Sequence, residues 1–565
     1  MRKQESIIVR SVSHAGIVCS QTVLLIIVMV LLAGCDDPTE FSQSDISPAP
    51  DMAENSQHWY EFVDELNTDA IIIVQNDGSI QEAIDVAKPG EVICVEPGFY
   101  SEALPIDKSI TLLGLDTENG GPVMLENPGI NSITLSEEIN IQNIQLRNYQ
   151  IAESKSSKNY ALRSDNNRHP IHIERDELGG GVALYTIRVR TGRGKYDMIT
   201  LYRLIKEGRP YHPAPSQGNV FMVHGASQNF EDIYLEPGAD PTPQTSVVMY
   251  LAANGIDVWG ISLGWTHVPK QETDFSFMEN WGVEREVQDI LKGVSIARLI
   301  RGLTKQAFGR MNLLGFSYSV GLAYAAAGHE TQEHWIKRDL SGIIAVDGGL
   351  TFDPGDAFAI GLSCSNAQAI KTNIDNGIFH SEFGAGIFGV LAYSAPDVAS
   401  PIIPGLNNYQ AALFLGANSY DLFPVPNDFW HFVAGEYDSG LPAGLAYSSP
   451  ERWIRLLAFP HAGPYMPLLS QYQLRSCECD PQTSPLDDHL TEVGIPALYI
   501  GSGGGVSSQG FYSIDQLGST DKTKYVVSLN PEPTVDFGHA DLFIADNADS
   551  EMWEMLRQWL IGAAI

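Results

Sequence analysis

The length, composition and charge of the chain argue against several classes of protein. With 565 residues, the chain has room for about two to four domains at ~150 residues each, so it is not a small disulfide-stapled module. Its 34 Lys and Arg residues stand against 69 Asp and Glu residues, which gives a formal net charge of −35 and argues against nucleic acid as a partner. Charged residues make up 18% and hydrophobic residues 44% of the chain, a composition typical of globular proteins.

The N-terminus has the pattern of an export signal. Three basic residues within the first ten precede an uncharged apolar run over residues 23–33, which is short for a membrane span but fits the apolar region of a signal peptide. The run ends in Leu-Ala-Gly-Cys at residues 32–35, which resembles the lipobox of bacterial lipoproteins. The resemblance implies a signal peptide over residues 1–34 and a lipid on Cys35, which would hold the protein in the bacterial cell envelope, facing the periplasm or the exterior. A plain N-terminal membrane anchor is the alternative, and the polar composition of residues 35–65 predicts a flexible tether.

Export also affects how the remaining cysteines are interpreted. An oxidising compartment permits disulfides, and Cys364 could pair with either Cys477 or Cys479. Cys94 lies in an apolar run, which favours a buried thiol. No His lies at a usual ligand spacing from the Cys-x-Cys pair, so we predict neither a metal nor an organic cofactor.

Residues 66–155 show short β-branched runs separated by turn residues, at spacings typical of stacked coils. The runs include residues 71–74, 92–95, 110–113 and 133–135. Together with the Pro-Gly turns and the Lys-Ser-Ile-Thr-Leu segment at 108–112, they resemble the opening of a right-handed parallel β-helix of the pectate-lyase-like class. The resemblance implies a β-solenoid-like module. Because this segment lacks a clustered Asp, Arg and Lys set, we interpret it as a structural or polysaccharide-contacting accessory.

Residues 165–565 alternate strands with helical segments, as an α/β sheet requires. A short apolar strand at 311–314 leads into Gly-Phe-Ser-Tyr-Ser at 315–319 and then into a helix of small residues. This is the strand–turn–helix context of a nucleophile elbow, with Ser317 at its tip. The segment resembles the α/β-hydrolase fold, with one departure: Ser319 occupies the position of the usual second Gly.

The same resemblance supplies a base and an oxyanion site. His539 follows the last predicted strand within Phe-Gly-His-Ala-Asp, matching the order of the family's catalytic His. His224-Gly225-Ala226 follows a buried strand and looks like the family's oxyanion loop. The backbone N–H groups of Ala226 and Tyr318 are therefore the predicted oxyanion donors, and His224 is predicted to stabilise the loop.

The triad acid is less clear because the usual position after the seventh strand holds glycines at 503–505 and no carboxylate. Asp347 ends the sixth strand, where some family members carry the acid, and is our predicted orienter of His539. Asp515 is the alternative, while Asp536 lies too near His539 in sequence.

Residues 350–492 form a predicted insertion between the sixth and seventh strands, rich in aromatic residues, Gly and Pro. In the α/β-hydrolase family such an insertion is a cap, and most of its aromatic residues are expected to form the cap's own core. The sequence thus predicts an α/β-hydrolase fold with an inserted cap after a short β-helix module. The implied activity is a serine hydrolase acting on a small-molecule or lipid carboxylic ester, of the lipase or esterase kind. The alternatives are a carbohydrate esterase served by the β-helix module and a non-catalytic envelope binding protein.

Overall fold

The computed structural model describes residues 71–75, 78–106, 108–115, 123–128, 133–135, 140–142, 144–147, 149–151, 172–236, 239–269, 271–380, 385–419, 431–458, 465–478, 486 and 488–563. The predicted signal peptide, Cys35, the tether over 35–65 and Cys479 lie outside these residues. Within them, no helix is both long enough and apolar enough to cross a membrane.

Short strands at the start of the described part pair into three small parallel sheets. Their bounds are β1 Ile71–Val74, β2 Val92–Val95, β3 Gly98–Ser101, β4 Thr111–Gly114, β5 Val123–Glu126, β6 Ile133–Leu135, β7 Asn140–Gln142, β8 Ile144–Arg147 and β9 Tyr149–Ile151. The pairing orders are β1-β2-β4-β7, β3-β5-β8 and β6-β9. Helix α1 (Ile80–Val86) begins after Ser79, whose side chain accepts a hydrogen bond from the N–H of Glu82 and so caps the helix.

These sheets pack against the following domain through an apolar contact. Side chains of β1, β2 and β4, with Cys94 among them, share one buried cluster with Leu299 and Phe308. The Lys337 ammonium lies 3.1 Å from a carboxylate oxygen of Glu91 at the same junction. Cys94 is a free, fully buried cysteine, as predicted, and burial raises the pKa of its thiol to about 12.

A large mixed sheet organises the rest of the chain. Its strands are β10 His172–Gly179, β11 Val182–Arg190, β12 Met198–Arg209, β13 His212–Pro213, β14 Gly218–Val223, β15 Ile256–Ser262, β16 Met311–Phe316, β17 Leu340–Val346, β20 Ala497–Ser502 and β21 Lys522–Val527. Between β17 and β20 the chain also forms a separate hairpin of β18 Gly435–Asp438 and β19 Leu441–Leu445.

The strand order along the large sheet is β10-β11-β12-β15-β14-β16-β17-β20-β21. Strands β10, β11, β12 and β15 pair antiparallel in turn, and all pairs from β15 to β21 are parallel. Counted from β11, this is the order 1-2-4-3-5-6-7-8 of the α/β-hydrolase fold, so the predicted fold class is confirmed for this part of the chain. The sequence did not predict β10, because its Glu-Arg-Asp-Glu stretch lacks the apolar alternation of a half-buried strand.

Helices cover both faces of this sheet and connect its parallel strands. The helices of the sheet domain are α2 Phe230–Tyr234, α3 Val247–Ala253, α4 Val283–Leu303, α5 Ser319–Gln332, α11 Ser507–Asp515, α12 Asp541–Ile544 and α13 Glu554–Leu560. The core strand β14 is completely buried at Val220, Phe221, Met222 and Val223, as expected for a strand covered on both faces.

The insertion between β17 and β20 contains helices as well as the β18–β19 hairpin. Its helices are α6 Ala357–Asp375, α7 Gly386–Ser394, α8 Asn408–Ala417, α9 Pro450–Ala458 and α10 Met466–Glu478. A disulfide between Cys364 and Cys477 joins α6 to α10, which selects one of the two pairings that the sequence left open. We refer to residues 350–492 as the cap.

Candidate active site

The turn after β16 holds Ser317 in a strained backbone conformation. Ser317 has φ +55°, in the left-handed region that L residues rarely occupy. Its N–H donates to the carbonyl of Val346 at 2.8 Å, and α5 begins two residues later. At Gly315 an added Cβ would lie 2.3 Å from the carbonyl oxygen of Ser319, so this position has room only for glycine.

Ser319, the departure from the family pattern, is accommodated by a specific contact. Its side chain is fully buried, and its hydroxyl donates to the carbonyl oxygen of His224 at the end of β14. The hydroxyl therefore ties the turn of Ser317 to the segment His224-Gly225-Ala226. A second glycine could not make this bond.

His539 and Asp347 meet at the carboxyl edge of the sheet. The distance from Nδ1 of His539 to Oδ2 of Asp347 is 2.6 Å, and Asp347 is fully buried. The same carboxylate accepts hydrogen bonds from the N–H and the hydroxyl of Ser502, each at 3.1 Å, and from the N–H of Val506 at 3.3 Å. Asp347 is thus held from several directions, with its own backbone at φ +41°.

The other two carboxylates considered from the sequence lie elsewhere. The side chain of Asp515 is 56% exposed and forms an ion pair with Lys524 at 2.7 Å. Asp536 accepts hydrogen bonds from the N–H groups of Leu529 and Asn530 and so holds its own loop.

The glycines after β20 explain the vacant acid position. An added Cβ at Gly505 would lie 2.3 Å from Oδ2 of Asp347. The residue at position 505 must therefore lack a side chain, because the carboxylate of Asp347, which reaches His539 from the neighbouring strand, occupies the adjacent space.

The loop that carries His539 is bound to the cap. The N–H of His539 donates to the carbonyl of His431 at 3.0 Å, and the N–H of Ala540 donates to that of Phe432 at 2.6 Å. The buried carboxylate of Asp541 accepts hydrogen bonds from the N–H groups of Ala434 and Gly538, both at 2.8 Å, and from the hydroxyl of Ser448. We call Asp541 with these three donors the loop clamp.

His431 supports the His539 loop and is a residue that the sequence does not predict. It is fully buried, and its Nε2 lies 2.8 Å from the carbonyl oxygen of Asp536. Burial lowers the pKa of its imidazole to about 4, so the ring is neutral near pH 7. No signal in the surrounding sequence marks this His, because its partners come from loops about 70 and 105 residues further along the chain.

The predicted oxyanion segment lies beside Ser317. Nε2 of His224 accepts a hydrogen bond from the N–H of Leu263 at 3.1 Å, so Nδ1 carries the proton and donates to the carbonyl of Gly225 at 2.8 Å. His224 therefore fixes the loop, as the sequence predicted. The Tyr318 ring stacks on Tyr472 of α10 with centroids 4.3 Å apart.

One cavity of about 200 Å³ contains Ser317, His539 and Ala226. Phe316 stacks on the His539 ring from within the same cavity, with centroids 4.7 Å apart. Two larger recesses, of about 450 and 410 Å³, surround Trp281 and Arg285 and contain none of the predicted site residues. We place the candidate active site in the smaller cavity because the chemically matched groups converge there.

Several solved structures are similar to this chain over about two thirds of its length. No family model and no curated protein matches the sequence. Among solved structures, a proposed lipase from Sulfolobus solfataricus is 17% identical with a TM-score of 0.46, covering 69% of this chain and 98% of that one. A monoglyceride lipase from Saccharomyces cerevisiae is 11% identical with a TM-score of 0.35, covering 69% and 94%. An esterase from Thermogutta terrifontis is 14% identical with a TM-score of 0.31, covering 66% and 97%.

The residues of the site themselves indicate its chemistry. Across the residues that the structure describes, no group of three or more His, Cys, Asp and Glu side chains is placed to hold a metal ion. The groups that do converge are a hydroxyl, an imidazole and a carboxylate.

Proposed function

We propose that this protein is a serine hydrolase that cleaves carboxylic esters. The observation that carries the proposal is the hydrogen bond between His539 and Asp347 in the cavity that also contains Ser317, at the tip of a strained turn. An imidazole oriented by a carboxylate, in one cavity with a serine hydroxyl, is the arrangement needed for nucleophilic acyl transfer.

In the proposed reaction, the hydroxyl oxygen of Ser317 attacks the ester carbonyl carbon while Nε2 of His539 takes its proton. The tetrahedral intermediate collapses to an acyl-enzyme, and His539 returns the proton to the leaving alcohol. Water then attacks the acyl-enzyme with His539 again acting as base, which releases the acid and restores Ser317. Asp347 orients the imidazole, and the N–H groups of Ala226 and Tyr318 stabilise the oxyanion.

Two observations favour this proposal over its alternatives. The bonded His539–Asp347 pair supports catalysis over a non-catalytic binding protein, since a degenerate site has no need of it. The cavity surface is mainly apolar, which favours a hydrocarbon acyl group over the sugar of a carbohydrate esterase.

The parallel pairing of strands about 20 residues apart between β1, β2 and β4 supports a β-helix-like accessory module over residues 66–155.

Probe labelling tests the proposed nucleophile. A fluorophosphonate reporter should label the wild-type protein and fail to label Ser317→Ala, because the probe forms a covalent bond only with an activated serine. Ser365→Ala is the matched control, since Ser365 is an exposed serine of the cap whose hydroxyl only bonds the carbonyl of Gly361. Equal labelling of wild type and Ser317→Ala would refute the assignment.

We further propose, from the sequence resemblance alone, that lipid on Cys35 anchors the protein in a bacterial cell envelope. A full-length protein expressed in bacteria should incorporate radioactive palmitate and sediment with membranes. Cys35→Ser should abolish the incorporation and release the protein, and palmitate retained in that variant would contradict the anchor.

A further inference from the structure

The candidate cavity is divided into a polar end and an apolar end. Ser317, His539 and the Ala226-Ser227-Gln228 segment lie on the side of the sheet domain. The cap supplies the opposite wall, through Ala385, Gly386, Phe432, Trp453, Leu456 and Leu457. These six cap residues carry no charged group. A ligand with its carbonyl at Ser317 would therefore direct a neutral hydrocarbon group into the cap.

Trp453 lines the apolar side of the cavity and is held rigidly. Its side chain is 1% exposed, and its indole Nε1 donates to the carbonyl of Ala412 in α8 at 2.9 Å. An added Cβ at Gly416 of the same helix would lie 2.8 Å from Nε1. Because α8 packs directly behind the indole, Trp453 cannot move back to admit a longer ligand.

The part of the cap wall that α7 and α9 form is also tightly packed. Helices α7 and α9 approach each other so closely that an added Cβ at Gly389 would lie 2.3 Å from the carbonyl carbon of Leu457. Contact between backbones at this distance prevents the two helices from moving closer together, and it fixes the position of the wall that they form.

The cavity volume then limits the ligand. At about 200 Å³ it is smaller than the ~300–1,000 Å³ of typical drug-sized sites. We propose that this cavity is an acyl pocket for short, uncharged acyl chains, and that Trp453 is the residue that limits their length. This inference rests on the proposed ester hydrolysis.

A series of p-nitrophenyl esters from acetate to dodecanoate tests the pocket, with the ratio of kcat/KM for decanoate to that for butanoate as the readout. We expect wild type to prefer the short esters, with butanoate hydrolysed faster than decanoate. Trp453→Leu should raise the ratio about tenfold or more, since each methylene that enters an apolar site changes kcat/KM by roughly 10-fold or more. Ala385→Leu places a larger side chain at another point of the cap wall, which reduces the space in the cavity and should lower the ratio.

Trp553→Leu is the matched control. Trp553 is also fully buried, and its indole Nε1 also donates to a backbone carbonyl, that of Leu542, at 2.9 Å, but it does not line the cavity. Its loss should lower all rates together and leave the ratio unchanged. If Trp453→Leu does not fold, Trp453→Phe makes a smaller opening and should shift the ratio in the same direction.

The outcomes separate the two proposals. Absence of both probe labelling and ester hydrolysis in wild type would overturn the proposed function. A labelled, active wild type that prefers decanoate to butanoate would overturn only the acyl pocket. An unchanged ratio in both folded Trp453 variants, or the same shift in Trp553→Leu, would overturn the role of Trp453.

Discussion

Asp347→Asn should lower kcat for an ester substrate by about four orders of magnitude, with little change in fold. The asparagine side chain has nearly the same shape, but where the carboxylate accepts the Nδ1 proton of His539 at 2.6 Å, the amide can present an N–H donor. The imidazole would then take the wrong tautomer and could not accept the proton of Ser317, a loss of ~10⁴ in serine hydrolases with this arrangement. Steady-state kinetics on a four-carbon ester measure the effect.

Asp515→Asn is the control for that substitution. Asp515 is exposed and paired with Lys524, so its loss should change kcat less than twofold. Loss of activity in Asp515→Asn, with Asp347→Asn unaffected, would show that the acid is Asp515 at the end of α11 and that the His539–Asp347 contact is structural.

Removing the loop clamp should disrupt both stability and catalysis. Asp541→Ala leaves the N–H groups of Ala434 and Gly538 and the hydroxyl of Ser448 without their acceptor, and each such buried donor costs about 1–3 kcal/mol. Because the clamp lies two residues from His539, we expect the free energy of unfolding to fall by several kcal/mol and kcat to fall with it. Urea denaturation and ester kinetics measure the two effects.

Asp541→Asn should in addition change how stability depends on pH. Burial raises the pKa of Asp541 to about 6, although its hydrogen bonds from Ser448, Ala434 and Gly538 lower it and the charge of Asp536 raises it further. Between a pKa near 4 in the unfolded chain and about 6 in the folded protein, the folded state binds more protons. Ionisation of Asp541 therefore reduces the stability of the wild type as pH rises through this window.

The asparagine variant cannot ionise, so it should lack this part of the pH dependence. The difference in urea midpoint between wild type and Asp541→Asn should change in favour of the variant as pH rises from 4 to 7. Other titrating groups cancel in this comparison because both proteins contain them. A constant difference across the range would mean that Asp541 is not the source.

The sequence predicts candidate site residues where chemistry and chain order coincide. Ser317 is marked by a local strand–turn–helix pattern, and His539 by its place after the last strand. Asp347 is predicted only indirectly, since the glycines after β20 leave the usual position vacant. The structure gives the steric reason, because Gly505 borders the Asp347 carboxylate itself.

What the sequence could not predict depends on contacts between distant segments. His431 comes from the cap and meets the His539 loop 108 positions later, and neither segment carries a pattern that points to the other. The sequence does not distinguish Cys477 from Cys479 as the partner of Cys364. In the structure, Cys477 lies at the end of α10 and is bonded to Cys364 on α6. Strand β10 was missed because an exposed edge strand does not need apolar residues.

The backbone at the candidate site has a consequence for how far this fold can be stabilised. Ser317 and Asp347 both lie in the left-handed region, at φ +55° and +41°, where an L residue costs roughly 1–2 kcal/mol relative to its ordinary conformation. Glycine at either position would relieve that cost and abolish the proposed chemistry. Selection for turnover would then keep both residues in place against selection for thermal resistance, and lineages that lost the activity would be free to drift towards glycine there.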